Sequence, residues 1–95
     1  MYRQGDVLLV PVKQDFTGVE ADKVTLALGE VTGHAHVLKA PRIVADKLQL
    51  PNFVKFAVPA ELLHEEHDRI EIPAGTYRIK RQREYTPQEI RNVAD

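Results

Sequence analysis

The chain has no cysteine, and that absence removes a disulfide framework, a thiolate metal site and a cysteine nucleophile together. Any metal must be held by nitrogen and oxygen ligands. Long hydrophobic runs are missing as well. No apolar stretch approaches the roughly 20 residues needed to cross a bilayer, and "MYRQGDVLLVPV" lacks the basic start, apolar middle and small-residue cleavage site of a secretory signal. The expectation is a cytoplasmic protein with no membrane partner. Charge of one sign is not in excess either: 13 Lys and Arg stand against 14 Asp and Glu, for a net charge of −1. That balance, with 43% hydrophobic residues, argues against disorder and against generic nucleic-acid binding. No internal repeat, low-complexity tract, phosphate-binding glycine loop, serine-centred triad or paired-carboxylate signature is present.

What is present is one domain, residues 1–95. At that length roughly 60 to 65% of the unfolded chain's surface is hidden on folding. Most of the sequence has period two. "GDVLLVPVK" is rich in branched aliphatics and reads as a buried strand with Pro11 at an edge or bulge. In "KVTLAL" Val24, Leu26 and Leu28 share one face, and "HAHVL" resumes as a strand after Gly29 and Gly33. Beyond Pro41 short apolar segments separated by Asp, Pro and Asn suggest hairpins. "RIEIPAGTYRIKRQREY" reads as two alternating arms with "PAG" as the turn between them. Only the end changes period: Thr86 can cap, Pro87 suits a first helical position and Glu89 completes a capping box. The predicted fold is mainly β, a small antiparallel barrel or sandwich, with a short C-terminal helix at about 87–94.

The four histidines fall in two pairs, His34 with His36 and His64 with His67. Residues two apart on a strand point to the same side, so His34 and His36 aim two imidazoles at one face. If the strand runs unbroken through Gly33, Glu30 joins that face; a bulge there undoes this. The three-residue spacing of "HEEH" suits a helix face or a tight turn, and its position just before the "DRIEI" arm favours the turn, which brings its ends within about 7 Å. Histidines on a half-buried sheet are more often plain polar surface, and "HEEH" alone reads as a solvated acidic loop. The joint pairing favours a site built from His34, His36 and at least one of His64 and His67. Such a set suits Zn, Fe, Mn, Ni or Cu, with zinc as the leading expectation.

A different class of function rests on the strand 77–85. Tyr77, Arg81, Arg83 and Tyr85 have the same parity and could meet a phosphate or a stacked base, whereas Arg78 and Lys80 face the other way. An edge strand protected by its charges is the commoner meaning of such a run.

Several landmarks carry a resemblance. "RQGDVLL", "GEVTGHAH", "HEEH", "PAGTYRI" and "RQREYTP" resemble those of short uncharacterised bacterial and phage proteins. "GHAH" and "PAG" also resemble the motifs of the cupin superfamily, small β barrels with His-x-His in a first motif and Pro-x-Gly followed by histidine in a second. Here four residues separate Gly29 from His34 where cupins have five, Ala40 or Pro41 stands at the downstream glutamate, and Arg78 stands at the second-motif histidine. The resemblance implies a barrel with a metal inside, its third ligand from His64 or His67 and its carboxylate from Glu30.

Together these features lead to a metal-binding small β-barrel protein, leaning toward a metal-dependent hydrolase in which Glu30 or Glu66 is the general base. Oxygen-dependent chemistry at iron is the second reaction class. The alternative is a non-catalytic nucleic-acid or protein binding module. The substrate, a small molecule or nucleotide, is not legible, and exposed edge strands admit a homodimer.

Overall fold

The structure is a computed structural model and describes residues 1–28 and 34–82. The predicted helix at 87–94 lies outside the described residues, as do Glu30, Arg83 and Tyr85. Eight strands run in chain order: β1 (Tyr2–Gln4), β2 (Val7–Pro11), β3 (Val19–Leu28), β4 (Ala35–Ala45), β5 (Phe53–Phe56), β6 (Ala60–Leu63), β7 (Ile70–Ile72) and β8 (Gly75–Arg81). All their ladders are antiparallel. They form one nearly closed, barrel-shaped sheet in the order β1-β2-β8-β5-β4-β6-β7, with β3 on the other side of β4. No helix among the described residues is long and apolar enough to cross a membrane.

β4 organises this sheet. β3 follows one of its edges from Val19↔Ala45 to Leu28↔Ala35. Its other edge is shared: β5 takes the C-terminal end through Val44↔Lys55 and Ala45↔Val54, and β6 takes the N-terminal end through Val37↔Leu63, Leu38↔Leu62 and Lys39↔Glu61. Pro41 lies between the two ladders. Proline cannot donate to a ladder, so the pairing stops there. The burial of β4 shifts accordingly: His36, Leu38 and Ala40 are inward on one side of the break, and Ile43 and Ala45 on the other. On the β3 side only Asp22 faces the interval between Lys39 and Ile43, which is the extra-residue geometry that bends a strand.

The same break crosses the neighbouring strands. β5 and β6 are separated by 57–59, and β7 and β8 by 73–74. Extending the β4–β6 and β6–β7 registers places Pro59 level with both Pro41 and Pro73. Three prolines thus fall where the ladders of neighbouring strands are interrupted. The sequence reading of "PAG" as a hairpin turn is corrected here: β7 pairs β6 and β8 pairs β5, so 73–75 is a corner inside one long interrupted strand. The hydroxyl of Tyr77 donates to the Pro73 carbonyl at 2.8 Å and spans that corner.

The folded sheet encloses a core of Val7, Leu9, Val24, Leu26, Leu38, Ile43, Val54, Leu62, Ile72, Tyr77 and Ile79. Each aliphatic side chain buried in this way stabilises the fold by about 1.5–3 kcal/mol relative to exposure. At a seam, β1, one end of the sheet path, reaches the end of β6 and the loop that leads to β7. There Gln4, at 3% exposure, donates from its amide nitrogen to the carbonyls of Leu62 and Asp68, both at 2.9 Å.

Candidate metal centre

The histidines gather at this seam. Alternation along β4 turns His36 inward beside Leu38, leaving it 4% exposed. His64 and His67 come from the loop between β6 and β7, whose pairing Leu62↔Ile70 holds its base closed. "HEEH" is therefore a loop, as its position before the "DRIEI" arm suggests. The His36 and His64 rings have centroids 4.3 Å apart, His64 and His67 4.6 Å, and His36 and His67 5.7 Å. One ring nitrogen from each of the three lies within 4.8 Å of the others. Zinc–nitrogen bonds of about 2.0–2.1 Å in tetrahedral geometry place ligand nitrogens about 3.4 Å apart, so the set must tighten by up to about 1.4 Å around an ion. His64 and His67 are on a loop and less buried than His36, which leaves that adjustment to side-chain rotation.

His34 stands beside this trio. Its ring is 5.7 Å from His64, edge on, and its Nδ1 lies 3.8 Å from a carboxylate oxygen of Glu66. His34 precedes the first residue of β4, so the strict same-side geometry of a continuous strand does not reach it. Glu66 is exposed. Glu65 accepts a hydrogen bond from the Ala35 backbone N–H at 3.1 Å. That bond, its own backbone N–H and the nearby His34 and His64 hold the Glu65 carboxyl below the usual carboxylate range.

Two residues that sequence reasoning missed complete the centre. Gln4 accepts from Nδ1 of His36 at 2.9 Å. Gly5 follows at the turn between β1 and β2 with φ of +58°, the first central position of a two-residue hairpin closed by Gln4↔Val7. Positive φ there, and not at Asp6, is the pattern of a type II′ turn, which calls for glycine. A β-carbon on Gly5 would lie 2.7 Å from Nε2 of His67 and 3.2 Å from Cε1 of His36. "QGD" carries a turn signal in the sequence, but nothing in it connects that turn to histidines more than thirty residues away.

His64 enters differently from His36. Its Nδ1 accepts from the Glu66 backbone N–H at 3.0 Å, so the neutral ring carries its proton on Nε2. Ligation through Nε2 requires that proton to leave, whereas ligation through Nδ1 requires the Glu66 contact to open.

The basic strand is arranged otherwise than the sequence suggested. Tyr77 is a core residue at 4% exposure, stacked on Phe56 and edge on to Tyr2. Burial and the neighbouring Tyr2 push its hydroxyl pKa up. Arg81 donates to the carbonyls of Leu26 at 2.7 Å and Pro51 at 2.5 Å, pinning the 46–52 loop to the β3 bulge. Arg78 and Lys80 are exposed on the outer face, so the place of the cupin second-motif histidine points away from the centre.

One family model matches residues 3–82, that of the family described as Domain of unknown function (DUF8820). The chain belongs to this family. The matched span includes Gln4, Gly5 and all four histidines of this member. No curated protein and no solved structure matches the chain.

Proposed function

We propose that the protein binds a divalent transition metal ion through His36, His64 and His67, with zinc as the first expectation and iron, manganese or nickel as alternatives. One observation carries this reading: three of the chain's four imidazoles, drawn from two distant segments, present ring nitrogens within 4.8 Å of one another. Three nitrogen ligands leave a coordination position for water, and a bound divalent ion lowers the pKa of that water to near 7. Hydrolysis is the reaction class that such a centre supports, with Glu66 as the nearby general base among the described residues. The alternative of a nucleic-acid or protein binding strand has less support, since Tyr77 is buried and Arg81 bonds backbone carbonyls.

Elemental analysis of untagged protein tests the proposal, followed by zinc titration in competition with a chromophoric chelator. One equivalent per chain is expected, lost in His36→Ala. A parent protein that retains no metal and takes up none would overturn it.

A further inference from the structure

The Gln4 amide has an orientation set by its surroundings. Its nitrogen faces two backbone carbonyls, Leu62 O and Asp68 O, each at 2.9 Å. A reversed amide would press its oxygen against both acceptors and leave the nitrogen toward the imidazole. With both N–H bonds directed at those carbonyls, the oxygen that meets His36 Nδ1 at 2.9 Å can only accept. The proton of that hydrogen bond must then come from the ring. In the neutral imidazole this puts the hydrogen on Nδ1 and the lone pair on Nε2.

We infer that Gln4 is a positioning residue for the centre: it sets His36 in the Nδ1–H tautomer and orients the ring so that Nε2 is the ligating nitrogen. This inference rests on the metal-binding reading for its purpose, but the tautomer itself belongs to the metal-free protein. A ring N–H held by an outer oxygen acceptor fixes a ligand's orientation and raises its basicity. The same amide also fastens β1 to the residues on either side of the histidine loop, at Leu62 and Asp68. One side chain therefore fixes the buried ligand and anchors the loop that bears the other two. Gln4 itself is 3% exposed, so bulk water does not compete for these bonds.

Nitrogen-15 NMR of the histidine rings in metal-free protein, at a pH where they are neutral, reads the tautomer directly. His36 is expected to show a protonated Nδ1 and an unprotonated Nε2. Gln4→Met removes acceptor and donors together, whereas Gln4→Glu keeps the acceptor and loses the donors. Gln4→Met should give a mixed tautomer and a zinc dissociation constant about 10- to 100-fold weaker. Gln4→Glu should lose thermal stability yet keep the tautomer and stay nearer the parent affinity, which separates positioning from folding. A parent His36 protonated on Nε2 would overturn the inference, even if both variants fail to fold. Equal zinc affinity in Gln4→Met and the parent would overturn it too. A parent with the stated tautomer that binds no zinc would sink the metal-binding reading while upholding the role of Gln4 in setting the ring.

Discussion

Gly5 stands where any side chain would strike His67. Its positive φ disfavours every L-residue, and a β-carbon would meet the His67 ring nitrogen at 2.7 Å. Gly5→Ala should therefore cost about 1 kcal/mol or more in stability and weaken zinc binding by displacing the ring. Denaturant unfolding and chelator competition on one preparation measure both effects; unchanged zinc affinity would show that His67 is not a ligand. The histidines separate at the same scale. His36 lies in the trio and His34 outside it, so His36→Ala should abolish binding and His34→Ala should leave most of it. If the two variants lose metal equally, the centre uses both histidines of the "HAH" pair and the loop contributes less than proposed.

At the scale of elements, the loop between β6 and β7 and the corner between β7 and β8 each carry a side-chain tie of their own. Glu65 ties the loop to the start of β4 through the Ala35 N–H. Its pKa is lowered in the folded protein, so its contribution is present above the unfolded value, about 4.3, and disappears as pH falls through the folded value. Melting temperatures taken across that acid range should fall more steeply for the parent than for Glu65→Gln. Parallel curves would remove the loop tie. Tyr77 spans the corner at Pro73. Tyr77→Phe should cost about 0.5–1.5 kcal/mol. The raised hydroxyl pKa of Tyr77 means that its stabilisation is complete below the ordinary tyrosine value, about 10, and is lost as pH rises beyond it. Alkaline unfolding should accordingly be less steep for Tyr77→Phe than for the parent.

At the scale of the whole molecule, the sheet is almost closed by backbone pairing, and the remaining seam is joined by side chains. β1 and β7 end the sheet path, and Gln4 reaches from β1 to carbonyls on both sides of the histidine loop. An ion held by β4 and this loop would tighten the same region. Because an ion that binds only the folded state stabilises it by mass action, more than about 4 kcal/mol is available when free metal is a thousand times its dissociation constant. Chelation should lower the melting temperature in step with metal loss. A melting curve that does not move after demonstrated metal removal would mean that the ligands do not span the two segments.

Period-two alternation was enough to determine the mainly β antiparallel character and to set His36 on the strand face opposite Ala35 and Val37, because strand geometry sends alternate residues to opposite sides regardless of partners; that the His36 face is the buried one was decided by the closed sheet. The three-residue spacing of His64 and His67 fits a helix face as well as a tight turn, and it was the position of the pair just before the "DRIEI" arm that favoured the turn. Strand partnership was beyond local pattern. "PAG" has the composition of a hairpin turn, but β7 and β8 each found a better partner in β6 and β5, and a register across the sheet is set by long-range pairing. The inward face of β8 illustrates the same limit: Tyr77 and Arg81 share parity in either reading, and only the closed sheet decided that this parity faces the core. Gln4 and Gly5 belong to the centre through contacts spanning 32 residues to His36 and 62 to His67. Such contacts leave no periodicity in the chain, since they exist only once the folded sheet brings the β1 end against β4 and the histidine loop.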